Sequence, residues 1–345
     1  MSIDWGAART PAGSLLEALG RTPLVRLERI APEGPELLAK IEWYGPTGSV
    51  KDRIYGAMLE AAERRGDLRP GMTVIECTTG NAGIACAAVS AIKGYGCTIV
   101  MPEGMSRERK LMIEAYGAQL VLTPGAGTDI ELAFERMREI VDADPDRYYF
   151  PGEFSNPDNP AAQSISGEEI LDQTGGRVDA VVAAQGTGGW ISGVARVLKQ
   201  RLSDVRVYAV EPAECPLLTE ERWGVHGVPG ISDGIVPANL DLDLLDGIVT
   251  IPTATALETA RRLARTEGML CGPSSGINVA AALRVAQAHP DLGRIVTAIC
   301  DTGQRYLSGE LFGETPRVDI PQRRRAIDPA IAEHLRARRA DLEQL

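Results

Sequence analysis

A lysine follows a turn-rich segment at the predicted start of a helix. Residues 45–53 read Gly-Pro-Thr-Gly-Ser-Val-Lys-Asp-Arg, and the following pattern predicts a helix over residues 50–65 with Ser49 as its N-cap. Lys51 therefore lies in the first turn, where the positive end of the helix dipole disfavours a second positive charge. A neutral lysine amine is the group that forms a Schiff base with an aldehyde cofactor. Taken alone, however, a lysine at a helix start is most often a surface residue.

Three further segments place glycines and hydroxyl residues between a predicted strand and a predicted helix. Residues 78–83 read Thr-Thr-Gly-Asn-Ala-Gly, residues 185–189 read Gln-Gly-Thr-Gly-Gly, and residues 272–276 read Gly-Pro-Ser-Ser-Gly. Such turns leave backbone N–H groups above the carboxyl end of a strand, where open α/β sheets bind ligands. The second segment predicts a phosphate site because no side chains obstruct its N–H groups. It is not a dinucleotide fingerprint, since Ile191 stands where the last glycine is required.

Short apolar runs predict the strands that must position these segments. Each run is nearly continuous, as buried parallel strands require. The runs are residues 37–43, 73–77, 97–101, 119–122, 180–184, 205–210, 248–251 and 295–300. Helical patterns alternate with them, as at residues 82–92 and 129–141. This alternation predicts an α/β protein built on open sheets.

Length, composition and charge narrow the class of protein. The 345 residues predict two domains, and an apolar fraction of 44% is enough for a large core. The net charge of −11 repels phosphate backbones and argues against nucleic-acid binding. No stretch of roughly 18 apolar residues predicts a membrane span. The six cysteines form no CxxC pair and no metal-ligand spacing, so we expect reduced thiols, no metal and a cytoplasmic location.

The order and spacing of these segments resemble those of the cysteine synthase (O-acetylserine sulfhydrylase) and cystathionine β-synthase family. The resemblance covers some four-fifths of the chain, from Thr-Pro-Leu-Val-Arg at residues 22–26 to Asp-Thr-Gly-Gln-Arg-Tyr-Leu-Ser at 301–308. It includes Met-Pro-Glu-Gly-Met-Ser-Arg-Glu-Arg at 101–109 and Phe-Ser-Asn-Pro-Asp-Asn-Pro at 154–160. It implies pyridoxal 5′-phosphate (PLP) as cofactor and two open-sheet αβα domains of the tryptophan-synthase-β-like PLP fold (fold type II).

The resemblance also implies a role for each matching residue. Lys51 is similar to the lysine that holds PLP as a Schiff base and moves the Cα proton. Asn81 is similar to the residue that hydrogen-bonds the PLP phenolate oxygen, and Ser274 to the serine that faces the pyridine nitrogen. The implied phosphate loop consists of Gly186, Thr187, Gly188 and Gly189. The implied substrate-carboxylate loop consists of Thr78, Thr79, Gly80 and Asn81.

Four residues depart from the family pattern. Ala82 and Trp190 stand where threonines are usual, Glu153 where a glutamine is usual, and Asp233 where a small apolar residue is frequent. We expect Glu153 and Asp233 to border the substrate cleft, where their charge would attract a cation. The hypothesis is that one reactant carries an additional amine, or that the nucleophile is not plain sulfide. The alternative is that both carboxylates face solvent.

The resemblance predicts β-substitution on an activated L-serine, O-acetyl- or O-phosphoserine, through an α-aminoacrylate intermediate. The product would be cysteine or a related β-substituted alanine. The alternative is a β-elimination lyase, of the cysteine desulfhydrase or serine/threonine deaminase type, that releases a 2-oxo acid and ammonia. A third interpretation, a partner-binding protein on the same fold, would leave Lys51 dispensable.

The resemblance finally implies a domain division and an assembly. Residues 12–44 and 156–315 would form the larger, phosphate-binding domain, and residues 45–155 a smaller, mobile domain on the substrate side. Residues 316–345 would form a charged tail, in which Asp328 caps a peripheral helix over residues 329–344. The expected partners are a small amino-acid substrate and a nucleophile, without nucleic acid or membrane, in a homodimer.

Overall fold

Two β-sheets, formed by different parts of the chain, organise the protein. The computed structural model describes residues 3, 5–6, 10–31, 33–125, 130–309, 311–312 and 327–345. Among these residues, one sheet has seven strands and the other has four. Every pairing is parallel except the one between the first two strands of the chain.

The strands of the larger sheet come from both ends of the chain. They are β1 (Leu24–Arg26), β2 (Glu36–Ile41), β7 (Ala180–Ala184), β8 (Arg206–Pro212), β9 (Gly247–Ile251), β10 (Arg294–Ile299) and β11 (Glu343–Gln344). The strands of the smaller sheet are β3 (Thr73–Cys77), β4 (Gly96–Pro102), β5 (Gln119–Thr123) and β6 (Tyr148–Tyr149). The strands of the larger sheet lie in the order β1-β2-β10-β7-β8-β9-β11, and those of the smaller sheet in the order β5-β4-β3-β6. The part of the chain that forms the smaller sheet is therefore inserted between β2 and β7 of the larger sheet.

Helices connect the parallel strands. They are α1 (Lys51–Arg65), α2 (Asn81–Lys93), α3 (Arg107–Ala115), α4 (Ile130–Ala143), α5 (Asp158–Thr174), α6 (Gly189–Arg201), α7 (Leu217–Glu220), α8 (Thr253–Thr266), α9 (Pro273–Ala288) and α10 (Pro329–Arg338). Left-handed glycines end three of them, Gly66 after α1, Gly94 after α2 and Gly175 after α5, where a side chain would be strained. No helix among the described residues has the length and apolar character needed to cross a bilayer.

Alternating residues of the central strands pack into opposite layers. In β7, Ala180 and Val182 belong to one core cluster and Val181 to another. In β10, Ile295 and Val296 divide in the same way. Because both faces of the sheet are covered, these strands are apolar throughout, as the sequence pattern requires. The predicted αβα layering is confirmed.

The structure confirms all eight predicted strands and corrects four details. It adds β1, β6 and β11, short strands at sheet edges without long apolar runs. The first strand is antiparallel, so the larger sheet is not purely parallel. Ser49 does not cap α1: the N-cap is Val50, without a side-chain cap.

The charged tail is the fourth correction. Asp328 caps α10 as predicted, accepting from the N–H groups of Ala330 and Ile331. The helix ends at Arg338 rather than continuing to residue 344, because the chain turns to pair β11 with β9. The predicted helix start at residue 129 and the boundary at residue 316 lie outside the described residues. The predicted domain division stays a prediction.

Candidate active site

The carboxyl ends of strands from both sheets border one cleft of about 850 Å³, a volume that includes open solvent. Both sheets contribute glycine-rich loops, as expected for a ligand site at strand ends. Eleven of the twelve predicted site residues line it, namely Lys51, Thr78, Thr79, Gly80, Asn81, Glu153, Gly186, Thr187, Gly188, Asp233 and Ser274. Gly189, the twelfth, begins α6 directly behind the loop.

Lys51 is the first residue of α1, and its amine faces a carboxylate. Its Nζ atom lies 3.0 Å from Oε2 of Glu153, and the two side chains are 15% and 3% exposed. The helix start alone favoured a neutral amine, but this geometry is that of an ion pair. The carboxylate comes from 102 residues further along the chain. No local sequence pattern therefore indicates this pairing.

The loop at residues 186–188 provides donors for an anion. The N–H groups of Gly186, Thr187 and Gly188 form no hydrogen bond to a described residue. They precede the 13-residue helix α6, whose N-terminus adds positive potential. Gly188 has φ +75°, and a Cβ there would lie 2.6 Å from the backbone nitrogen of Leu240. Glycine is therefore required on both conformational and steric grounds.

Asn159 fixes the loop from behind. Its Nδ2 donates to Thr187 Oγ1 at 3.1 Å and to the backbone oxygen of Glu153 at 2.7 Å. A Cβ on Gly189 would lie 2.0 Å from its Oδ1. One amide thus connects the glycine loop with the segment that carries Glu153.

The residues present fit PLP. Orphan backbone donors at a helix N-terminus suit a phosphate, and a lysine amine in the same cleft suits an aldehyde. Ser274, in the first turn of α9, supplies a hydroxyl to the same cleft. These features are the donor set that the sequence comparison implied.

Asn81 is held between two charged residues at the far end of β10. Its Nδ2 donates to Asp301 at 2.7 Å, and its Oδ1 accepts from Arg305 at 2.5 Å. The hydroxyl of Tyr306 donates to the same aspartate. Asn81 lines the cleft and its amide has a second N–H, so its expected contact with the phenolate oxygen stays a prediction.

A buried arginine lies beside the predicted carboxylate loop. Arg109 of α3 is 5% exposed and lines the cleft. A Cβ on Gly80 would lie 2.4 Å from its Cδ and Nε atoms, so the side chain runs directly across this glycine. Its guanidinium carbon is 4.8 Å from the ring centre of Tyr306, and Nε has no hydrogen-bond partner among the described residues.

Sequence reasoning missed Arg109 as a site residue. It closes the segment 101–109 quoted for the resemblance, but an arginine in a charged, amphipathic helix start is typical of a surface. Its neighbour Arg107 is exposed. The glycine at residue 80, which leaves room for the guanidinium, was the available signal.

Both additional carboxylates line the cleft. Glu153 is 2% exposed and Asp233 8% exposed. The backbone oxygen of Glu153 accepts from Asn159 and, at 2.8 Å, from Nδ2 of Asn239. The position of the Glu153 carboxylate beside Lys51 is therefore set by a fixed backbone.

A second buried carboxyl lies behind Glu153. Glu76 of β3 is fully buried and accepts from the Tyr55 hydroxyl at 2.9 Å and from the Cys77 N–H at 3.0 Å. Burial, assisted by the charge of Glu153, raises the pKa of Glu76 to about 8. The neutral, protonated form of Glu76 is therefore favoured in this buried position.

Trp190 and Cys300 also line the cleft. The Trp190 indole donates to Glu42 at 3.2 Å, which anchors the residue to the buried ion pair of Glu42 with Arg53. Its bulk thus points toward an internal network. Burial raises the pKa of Cys300 to about 12, so this thiol is not a thiolate nucleophile.

Comparison with known proteins gives consistent relatives. A family model described as pyridoxal-phosphate dependent enzyme matches residues 15–301. A cysteine synthase of Staphylococcus aureus is 39% identical over 308 residues, which cover 88% of this chain and 98% of that protein.

Two solved structures show the same likeness in three dimensions. The crystal structure of an O-ureido-L-serine synthase has a TM-score of 0.85 and 38% identity, over 90% of this chain and 98% of that chain. That of a cysteine synthase from Entamoeba histolytica has a TM-score of 0.85 and 36% identity, over 92% and 96%. The predicted fold class is thereby confirmed.

Proposed function

Because the chain belongs to the family of pyridoxal-phosphate-dependent enzymes, we propose that it replaces the β-substituent of an activated L-serine. The donor is an O-acetyl- or O-phospho-L-serine, and the product is cysteine or a related β-substituted alanine. The observation that carries the proposal is the presence of the Lys51 amine and the unpaired N–H groups of residues 186–188 in one cleft. The named relatives favour replacement over the lyase alternative.

Lys51 is the residue that would hold the cofactor and move a proton. When bound, PLP supplies an electron sink at the substrate's α-carbon. Lys51 accepts the proton from Cα and returns it after the β-substituent has been exchanged. Its place on the first turn of α1 keeps the amine at the border of the cleft, so the same atom serves both steps.

The substrate carboxylate is proposed to bind at the loop of residues 78–80. The loop has two threonine hydroxyls, one of which accepts from the Gly80 N–H at 3.1 Å. Ala82 removes the hydroxyl that relatives place there. Arg109, beside Gly80, adds a positive charge with an unpaired N–H at the same loop. We therefore assign it to the carboxylate site.

Borohydride reduction followed by peptide mapping tests the role of Lys51. We expect a pyridoxyl group on Lys51 in the reduced holoenzyme and none on Lys40, which is buried in an ion pair with Glu169. Label on another lysine would contradict the assignment. Lys51→Ala should abolish turnover.

Product analysis with and without a nucleophile separates replacement from elimination. A replacement enzyme forms a β-substituted alanine when sulfide or an amine is present, with little pyruvate. A lyase releases pyruvate and ammonia at the same rate whether or not a nucleophile is added. The second result would reject the proposed function in favour of the alternative.

A cytoplasmic homodimer completes the proposal. All six cysteines are free thiols, which is typical of a reducing compartment. The dimer rests on the resemblance to the family. Sedimentation equilibrium of the holoenzyme tests it, and a single species at the mass of one chain, 36.9 kDa, would contradict it.

A further inference from the structure

Arg305 is a buried arginine that joins separate parts of the chain beside the cleft. It is 3% exposed and belongs to a short turn that follows β10. Its Nη1 atom donates to Oδ1 of Asn81 at 2.5 Å. Its Nη2 atom donates to the backbone oxygens of Thr47 at 2.6 Å and Gly48 at 3.2 Å. One guanidinium thus links the residue predicted to contact the cofactor ring with the turn before Lys51.

The Nη2 side of the guanidinium is anchored at this turn. Gly48 has φ +73°, and its oxygen also accepts from the Thr302 N–H at 3.1 Å. Thr47 is fixed in turn by Asp52 of α1, which accepts from its N–H at 3.1 Å. The guanidinium therefore has a defined position relative to the helix that carries the reacting amine.

The Nη1 side meets an amide that lies between opposite charges. The Asn81 oxygen accepts from Arg305, and its nitrogen donates to Asp301 at 2.7 Å. In the flipped orientation the amide oxygen would face a carboxylate and the amide nitrogen a guanidinium. One N–H is committed to Asp301, so the second is the one left for a ligand in the cleft. The two charges therefore select a single amide orientation and fix the direction of that N–H.

Stability alone does not account for this arrangement. Asp301 is fully buried, and its Oδ1 atom and the Nε atom of Arg305 have no hydrogen-bond partner among the described residues. Burying incompletely paired charges is unfavourable. At the opposite end of β10, by contrast, Arg294 has a side chain that is 21% exposed and pairs with Glu36. The unfavourable burial at the cleft end of the strand indicates a role for the charges there.

We infer that Arg305 is a positioning residue for the cofactor ring, which it affects by orienting the amide of Asn81. The inference rests on the proposed function, from which it takes Asn81 as the residue that meets the phenolic oxygen of PLP. An N–H donated to that oxygen favours its negatively charged form. The positive charge at the Asn81 oxygen also polarises the amide, which makes its N–H a stronger donor.

The absorbance spectrum of the bound cofactor tests the inference. The anionic and neutral forms of the phenolic oxygen give separate bands, so their ratio at one fixed pH reports the contact without any turnover. A hydrogen bond to a charged oxygen corresponds to roughly a 10–100-fold effect, which we expect for Asn81→Ala. Arg305→Met keeps the amide but releases it, so the ratio of the anionic to the neutral band should fall by roughly 3–10-fold.

A double variant shows whether Arg305 acts through Asn81. If it does, adding Arg305→Met to the Asn81→Ala enzyme should change the band ratio by less than about twofold. An equal effect of Arg305→Met with and without the Asn81 side chain would overturn the inference, because a general distortion of the cleft would then explain the spectrum.

Two further variants complete the test. Arg294→Met is the matched control, since it removes an arginine with several partners from the far end of the same strand. It should lower the free energy of unfolding and leave the band ratio unchanged. Arg305→Gln is shorter and uncharged, so it should also lower the ratio. If Arg305→Met does not fold, this variant decides the question, and a wild-type ratio in it would overturn the inference.

The outcomes separate this inference from the proposed function. Wild-type enzyme that forms a β-substituted alanine, but whose band ratio Arg305→Met leaves within about twofold, overturns the inference and leaves the proposed function intact. Pyruvate released at the same rate with and without a nucleophile rejects the proposed function. A fall of the band ratio in the Arg305→Met form of that enzyme would still support the inference, because the ratio reports the cofactor contact and not the product.

Discussion

Replacing Arg109 by methionine should weaken binding of the substrate carboxylate without changing the shape of the cleft. The arginine is 5% exposed, crosses Gly80 and leaves its Nε unpaired among the described residues. A hydrogen bond between charged groups in such a site contributes about 1.5–3 kcal/mol. At 1.4 kcal/mol per tenfold change, kcat/KM for the activated serine should fall by roughly 10–150-fold.

The comparison of an acid with its amide isolates this effect. For the carboxamide of the same substrate, Arg109→Met should change kcat/KM by less than about threefold, because the amide has no charge for the guanidinium to meet. Arg107→Met is the matched control, since it removes an exposed arginine from the same helix. Its kinetics should equal those of the wild type.

A separate cost in stability is expected from the ring of Tyr306. The guanidinium carbon lies 4.8 Å from the ring centre, and such a buried cation–π contact contributes about 1–2 kcal/mol. Chemical denaturation measures this loss independently of the kinetics. Equal loss of kcat/KM on the acid and on the amide would refute the carboxylate assignment, because a general distortion of the cleft would then explain the kinetics.

Two further substitutions test the scaffold. Gly189→Ala places a Cβ 2.0 Å from Oδ1 of Asn159, so the Asn159 side chain must move and lose its buried hydrogen bonds. We expect the free energy of unfolding to fall by about 1–3 kcal/mol and PLP to bind more weakly in a fluorescence titration. Unchanged PLP affinity would contradict this. Burial raises the pKa of Glu211 from its ordinary 4.5 to about 7, although Thr219 and Leu218 donate to it. Between these two pH values the folded chain holds a proton on Glu211 that the unfolded chain releases. The contribution of Glu211 to the free energy of unfolding is therefore full below pH 4.5 and is lost as the pH rises through 7, about 3 kcal/mol in all. In Glu211→Gln, urea titrations between pH 5 and 7 should lack that part of the decline, and an identical decline would show that Glu211 is not its source.

The fold was largely predictable because its signals are local. Each of the eight predicted strands is an apolar run, and all but β5, which is largely exposed, are mostly buried, so the pattern requires no knowledge of partners. The strands that were missed, such as β1, β6 and β11, are two or three residues long and exist through pairing with a neighbour. In the C-terminal tail, strand pairing likewise overrides the local pattern. The charged helical pattern continues past Arg338, but the pairing of β11 with β9 ends the helix.

The site was predictable in its backbone and less so in its charges. Glycines at 186, 188 and 189 are required by close approach or left-handed geometry, so their spacing carries information that a single sequence reveals. Ser49 was expected to cap α1, but it pairs with Asp301 in an isolated bridge. The Lys51–Glu153 pair joins residues 102 positions apart, so no local pattern indicates it.

The contacts that fix the backbone at residue 153 do not determine the charge of its side chain. The backbone of Glu153 is fixed by hydrogen bonds from Asn159 and Asn239, which act on its carbonyl oxygen and are indifferent to its side chain. A glutamine at this position would keep those bonds, but would remove one of the two carboxylates, Glu153 and Asp233, that line the cleft. Relatives 36–39% identical therefore indicate the fold and the cofactor, whereas the charge beside Lys51 is set by this chain's own residue at position 153. The nucleophile that this cleft accepts therefore has to be established by product analysis, because overall likeness does not describe the charges that line the cleft.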